Sequence, residues 1–292
     1  MTRHAVLWPA LALSFNAFTW GVSWWPFRQL QAAGLHPLWA TALIYTATVL
    51  AITLWRPVAW RDLWRARPLW VLVLAAGITN ATFNWAVTIG DVVRIVLLFY
   101  LMPLWAVLLA RVLLHEPLTP LALLRVVLAL AGAAIVLWPA GQGPAALPVP
   151  RNLPEWLAVL GGFSFALNNV MLRREAHRPE AARALAMFLG GAVVAGVLAT
   201  GLTLQGSVPL PPPLAPGWVL GALALALAFL VGNLALQYGA ARLPANITAV
   251  VMISEVLFAS LSAVLLGAGS VTPALLLGGA LIIGASLLAA RG

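Results

Sequence analysis

The chain has 292 residues, 63% of them hydrophobic and only 8% charged, with sixteen basic side chains against seven acidic ones and no cysteine. A soluble domain clothes itself with roughly 25% charged residues, so a water-soluble protein is excluded. Every basic residue is arginine, which rules out a P-loop and a lysine Schiff base, and the absence of cysteine rules out disulfides and thiolate metal sites.

Crossing a bilayer takes about 20 apolar residues. Ten such runs can be drawn, near 5–27, 37–55, 69–89, 92–114, 119–138, 154–173, 182–204, 217–239, 245–266 and 273–290. Thr2-Arg3-His4 ahead of an apolar run has the look of a signal peptide, but no small-residue cleavage site follows, and the segment reads as an uncleaved first helix. In that helix Asn16, Thr19, Trp20 and Ser23 follow helical spacing and share a face. Polar groups inside a membrane cost free energy unless they face protein or water, so such a face marks either a cavity or a helix contact. The third run repeats the device with Gly77, Asn80, Asn84 and Thr88, next to Trp85. Asp91 and Arg94 stand three apart at the start of the fourth run, which predicts a local ion pair. Tyr100 follows, and Pro103 leaves a carbonyl free four residues earlier, a kink suited to a hinge. The fourth run closes in His-Glu-Pro-Leu-Thr-Pro (115–120), where Glu116 is placed to pair with Arg111 in a structural role.

The breaker-rich segment 139–154 divides the chain almost in half, giving two units, 1–140 and 153–292, with a periplasmic linker over 141–152. In the second unit Asn168 falls where Ser23 does in the first, and Asn233 and Gln237 repeat Asn84 and Thr88, with Tyr238 alongside. Thr119-Pro120 recurs as Thr272-Pro273. Glu255 is the deepest acid, and it needs a proton or a partner such as Arg94; it is the candidate for proton coupling. Most of the tryptophans, among them Trp8, Trp55, Trp60 and Trp64, lie at run ends, where an interfacial aromatic belt is expected.

Arginine placement predicts orientation. With a cytoplasmic N-terminus, thirteen arginines fall inside and only Arg28, Arg94 and Arg151 outside. Five runs per unit is an odd number, so the second unit sits upside down and both termini are cytoplasmic. The loop after the fourth run keeps Arg111, His115 and Glu116, while its outward-facing counterpart has Gly267, Ala268 and Gly269. The expected fold is an all-α polytopic membrane protein of ten transmembrane helices in two inverted five-helix repeats. That design is common to secondary transporters, with the substrate near the midplane between repeats.

Pro103, the LLxxxLLHEPLT ending with Glu116 (107–119) and the glycine-rich LALAGAAIVL (128–137) and GALIIGASLL (279–288) resemble the EamA-type branch of the drug/metabolite transporter superfamily. Within it, YLMP (100–103), Gly232-Asn233 and ANIT (245–248) are similar to the YddG-like aromatic amino-acid exporters. The second half departs from the pattern: Gly269 stands where Glu116 would recur, and Glu255 lies at or beside a usual proline. The resemblance implies a multi-pass protein of a bacterial cytoplasmic (inner) membrane that exports small neutral metabolites, amino acids first. Asn16, Trp20, Ser23, Asn80, Asn84, Trp85, Tyr100, Asn168, Asn233, Gln237 and Tyr238 are the candidates for its cavity wall. No cofactor, metal or nucleic acid is expected; the partners are the substrate, the lipid and, through the glycines of the fifth and tenth runs, a second copy of the chain. The rival readings are an intramembrane enzyme, against which stands the lack of HExxH, GxSxG or an aspartate-rich cluster, and a channel-like facilitator.

Overall fold

In this computed structural model, residues 3–113, 115, 119–138, 149–240, 242, 251–252 and 254–289 are described, and every regular element among them is a helix. The apolar composition explains why, because lipid offers a peptide group no hydrogen-bond partner and a helix closes its own. The first half comprises α1 (Arg3–Val22), α2 (Trp24–Ala32), α3 (Pro37–Trp55), α4 (Val58–Arg65), α5 (Arg67–Ile89), α6 (Val92–Phe99), α7 (Met102–Leu113) and α8 (Pro120–Leu137). The second half comprises α9 (Leu153–Arg174), α10 (Glu180–Leu204), α11 (Pro216–Ala240), α12 (Ser254–Leu265) and α13 (Pro273–Ala289).

Among the described residues, six helices are long and apolar enough to cross a membrane: Pro37–Trp55, Arg67–Ile89, Val92–Leu113, Leu153–Arg174, Glu180–Leu204 and Pro216–Leu236. They coincide with six of the ten expected runs. The other four runs are shorter or broken. The first turns at Ser23, whose hydroxyl donates to the Trp20 carbonyl at 2.8 Å. The fifth and tenth are the 18-residue α8 and the 17-residue α13. The ninth crosses 243–250, which lie outside the described residues, as does Glu116. The link between the second and third runs holds α4, which buries Ala59 and Leu63 and is pinned by the Trp60 indole donating to Thr53 at 2.9 Å.

Local chemistry sets the helix ends. Gly34 closes α2 with φ of 90°, a left-handed conformation that a side chain resists, and Leu35 N–H reaches back to the Leu30 carbonyl at 3.0 Å. His36 then caps α3, its Nδ1 accepting from the Leu38 N–H, with Pro37 in the first turn. Only a neutral imidazole can accept there, and burial pushes the His36 pKa down in that sense. In the fourth run the helix breaks at Tyr100–Leu101, just ahead of Pro103. The Phe99 carbonyl, which the proline cannot bond, lies against Gly162 of α9, where a Cβ would come within 2.5 Å of it.

The pairing of helices is regular. α5 packs on α9 and α10, α10 on α3, α1 on α11 and α12, α6 and α7 on α9, α11 on α3, and α13 on α8. Exchange each element for its counterpart by order: α1 with α9, α3 with α10, α5 with α11, α6–α7 with α12 and α8 with α13. The α5–α9 contact then becomes α1–α11, the α7–α9 contact becomes α1–α12, and α5–α10 becomes α3–α11. The α3–α10 and α8–α13 contacts map onto themselves. Among the described residues three buried clusters fill the interior, one around Phe99, Val96 and Ile282, one around Phe27, Tyr45 and Phe229, and a small one of Leu38, Ala42, Ala81, Ala195 and Ala199. Leucines such as Leu54 and Leu214, each 86% exposed, cover the outside, as expected of a surface solvated by lipid.

Glycine permits the closest crossings. At Gly190 of α10 a Cβ would lie 2.0 Å from the Val73 carbonyl oxygen, and at Gly77 of α5 it would lie 2.5 Å from the Gly190 carbonyl oxygen. Gly132 and Gly278 meet in the same way between α8 and α13, so these glycines of the fifth and tenth runs serve contact within one chain. Overpacking of this kind costs about 1–3 kcal/mol. Gly190→Ala should therefore lower the thermal unfolding midpoint of the purified protein in detergent. Gly201→Ala, in the same helix with nothing within 4 Å of the new carbon, should leave it unchanged or raise it.

Candidate functional site

Helices of both halves enclose a cavity. Asn16 and Trp20 come from α1, Tyr45 from α3, Thr79 and Asn80 from α5, Phe165 and Asn168 from α9, Phe188 from α10, Phe229 and Asn233 from α11, and Glu255 from the first turn of α12. Its volume is about 100 Å³, room for a few waters or a small polar head, below the roughly 300–1,000 Å³ of ordinary small-molecule sites. A second, larger space of about 570 Å³ opens beside it, between Trp55, Arg56 and Asp62 on one side and Pro179, Glu180 and Ala184 on the other. Asn233 borders both spaces. The two spaces therefore adjoin at Asn233, and the larger, outer one forms a vestibule beside the smaller.

Polar groups in the cavity wall are held by the fold. Tyr45 donates to Asn80 Oδ1 at 2.6 Å, and the Asn80 amide donates to the Ala76 carbonyl at 2.7 Å. Thr79 donates back to Ala75. Tyr100 donates to Glu255 Oε2 at 3.2 Å. The exceptions are Asn16 Oδ1 and Asn168 Oδ1, both buried and without a hydrogen-bond partner. The wall between these groups is aromatic, with Trp20 stacked on Phe229 at 4.6 Å between ring centroids.

Of the residues singled out in the sequence, Asn16, Trp20, Asn80, Asn168, Asn233 and Glu255 meet in this cavity, and Tyr100 joins it through Glu255. Others go elsewhere. Ser23 bonds its own helix, and the Asn84 amide donates to Thr41 at 3.1 Å, a contact joining α3 and α5. Trp85 stands edge-on to His36. Tyr238 is 41% exposed, with Arg242 over its ring at 3.9 Å. The side chains of Gln237 and Pro103 lie outside the described part of the structure. The cavity phenylalanines and Tyr45 carried no sequence signal, because a phenylalanine facing a cavity and one facing lipid have the same neighbours in sequence. Asn168 carried one through its counterpart Ser23, although Ser23 itself turned away.

At the helix ends opposite the vestibule, polar groups tie the two halves together. The expected Asp91–Arg94 ion pair does not form; Asp91 caps α6 by accepting the Arg94 backbone N–H at 2.9 Å. The Arg94 guanidinium instead reaches Glu155 of α9 at 2.8 Å, which also removes it as a partner for Glu255. Glu155 further accepts from the Arg151 N–H and the Asn152 amide. Asp91 accepts the Ser270 N–H at 3.1 Å, and Arg28 donates to the Val87 and Gly90 carbonyls. Asp91 is committed to the α6 cap and to the Ser270 N–H, and the buried Glu155 carboxylate across the interface takes the guanidinium instead. Glu155→Ala strips three donors of their acceptor, and with Glu155 buried the loss should be about 2 kcal/mol, read as a lower unfolding midpoint, whereas Arg61→Ala on the exposed Arg61–Asp62 pair should change little.

A multi-pass helical architecture with a cavity between its halves is one that small-solute carriers use. Residues 7–138 match the EamA-like transporter family, in line with an EamA-type member of the drug/metabolite transporter superfamily. A crystal structure described only as that of a protein has the same fold, with a TM-score of 0.58 and 22% identity over 99% of this chain and 97% of that one. No curated protein sequence matches the chain.

Proposed function

We propose that the protein is a secondary transporter exporting small neutral metabolites, aromatic amino acids first, from the cytoplasm across a bacterial inner membrane. Its ten spans form two inverted repeats, 1–140 and 153–292, joined by a periplasmic linker, and the solute is bound at the cavity between them. The observation that carries this reading is the cavity itself: amides and one carboxyl set among aromatic rings, contributed by helices of both halves. The self-mapping of the helix pairs under exchange of the halves supports the repeat. The vestibule at one end and the polar ties at the other support alternating access, with the arginine-rich end taken as cytoplasmic. Asn16, Trp20, Asn80, Asn168 and Asn233 are the proposed solute contacts, the break at Tyr100–Leu101 ahead of Pro103 the proposed hinge, and Glu255 the proposed coupling group.

Orientation is tested by single cysteines in this cysteine-free chain. Cysteines at Ala66 and His177 should be protected from an impermeant reagent applied to intact cells, while those at Gln142 and Ser207 should react. Labelling of the first pair would overturn the orientation and with it the direction of export. Transport is tested in proteoliposomes with phenylalanine, tryptophan, threonine, lysine and glutamate, each at several pH values. The neutral aromatic solutes should show saturable counterflow, and Glu255→Gln should remove its pH dependence. Preference for glutamate would refute the solute class, and equal, unsaturable passage of all five would indicate a pore.

A further inference from the structure

Glu255 and the amides around it have an unbalanced polarity. Asn16 Oδ1 and Asn168 Oδ1 are carbonyl acceptors with no donor, on residues only 1% and 2% exposed. Each stands in the cavity wall, Asn16 from α1 and Asn168 from α9. Leaving such a group unpaired in a buried site costs about 1–3 kcal/mol, a cost that a ligand donor would remove. Glu255 adds a carboxyl group to the same wall. Much of the donor capacity here is already committed: Tyr45 to Asn80, Thr79 to Ala75, Tyr100 to Glu255, and the Asn80 amide to Ala76. Among the described lining residues there is no arginine or histidine, and the chain has no lysine. Arg28 and Arg94 are engaged at the far helix ends with backbone carbonyls and with Glu155. The remaining wall is aromatic, and the face of an aromatic ring attracts a cation and repels an anion.

We infer that this cavity reads the ammonium end of its solute and not the carboxylate, so that protonated aromatic amines are ligands of the same site. The inference rests on the transporter reading given above and extends its solute class from neutral aromatic amino acids to the amines that share their ammonium end. An ammonium group carries three donors and no acceptor, which matches two free carbonyl oxygens and a carboxyl group. A carboxylate placed there would meet ring faces and acceptors, with the Asn16 and Asn168 amide groups, held to Met252 Sδ at 3.8 Å and Asn169 Oδ1 at 3.5 Å, left to donate to it, and would recover little of its lost hydration. The size agrees: about 100 Å³ accommodates an ammonium head, while the ring it is attached to occupies space toward Phe165 and Phe188 or the vestibule. Amino acids remain acceptable when the carboxylate stays on the vestibule side, where Arg56 is within the lining.

The test is a charge series on one ring, with 2-phenylethylamine, phenylalanine and 3-phenylpropionate titrated calorimetrically into the full-length protein in detergent. The amine should bind at least as tightly as phenylalanine, and the carboxylate should be weaker than the amine by about tenfold or more. Glu255→Gln should weaken the amine about tenfold and leave the carboxylate where it was; the series on the unaltered chain decides the matter even where that variant fails to fold. If phenylalanine binds well and the amine about tenfold worse, the carboxylate is read and this inference fails while the transporter reading stands. If the carboxylate binds as well as the amine, the inference fails as well. Saturable transport of threonine with no binding of any member of the series would overturn the aromatic solute class and this inference together.

Discussion

Hydrocarbon satisfies no hydrogen bond, and most features of this protein follow from that constraint. Seven threonines illustrate it, six of them buried or half-buried and Thr46 on the outer surface: Thr19, Thr46, Thr48, Thr53, Thr79, Thr82 and Thr88 all donate to the carbonyl four residues back in their own helix. A hydroxyl so placed behaves toward its neighbours almost as an apolar group. Amides have too many polar atoms for that solution and must look across to another helix, as Asn80 does to Tyr45 and Asn84 to Thr41. Against this background the free oxygens of Asn16 and Asn168 are informative because they face a cavity. Asn84 Oδ1 and Trp105 Nε1 are also unpartnered, and nothing in the structure explains them.

The same constraint makes the two ends of the bundle different. At the end carrying Arg94, a buried carboxylate gathers an arginine, a backbone N–H and an amide, and Asp91 bridges from α6 to the segment after α12. These bonds are charge-assisted, and two of them, Arg94 to Glu155 and the Ser270 N–H to Asp91, join elements of opposite halves. At the other end, the vestibule lies between α3 and α4 on one side and α10 and α11 on the other. Under the alternating access proposed above, opening the Arg94 end would require that the Glu155 set be given up. Glycine pairs act differently. Gly77 with Gly190 brings backbone against backbone, which binds α5 closely to α10.

How much of this was legible in the sequence depends on what kind of interaction each residue makes. Helical spacing exposed the polar faces, and Asn16, Trp20, Asn80, Asn168 and Asn233 reached one cavity because a face of a helix is a local property. The same spacing failed for Ser23 and Asn84, since the choice between a cavity and a neighbouring helix is made by the partner, here the Trp20 carbonyl and Thr41. Arg94 shows the limit most clearly: its nearest acid in sequence is Asp91, yet its charge goes to Glu155, on the other half of the chain. The amphipathic α4 was hidden by the rule that charged links are loops, although Ala59 and Leu63 recur at helical spacing. The phenylalanines lining the cavity were beyond any local signal, because apolar residues look alike whether lipid or a solute faces them.

The cavity's small volume bears on how a carrier of this design would work. A solute with an aromatic ring does not fit into about 100 Å³, so rings such as Phe165 and Phe188 must turn or their helices must part when it binds. Part of the binding free energy is then consumed in moving the wall. A ligand shifts a conformational equilibrium only by the difference in its affinity for the two states. In the proposed carrier the deformed wall would supply that difference: a state in which Phe165 and Phe188 have already turned aside would bind the solute better. Free amide oxygens suit this role, since each contributes about 1 kcal/mol and releases as readily as it binds. A full arginine–carboxylate pair in the same place would hold the solute more tightly in both states and would drive neither toward the other.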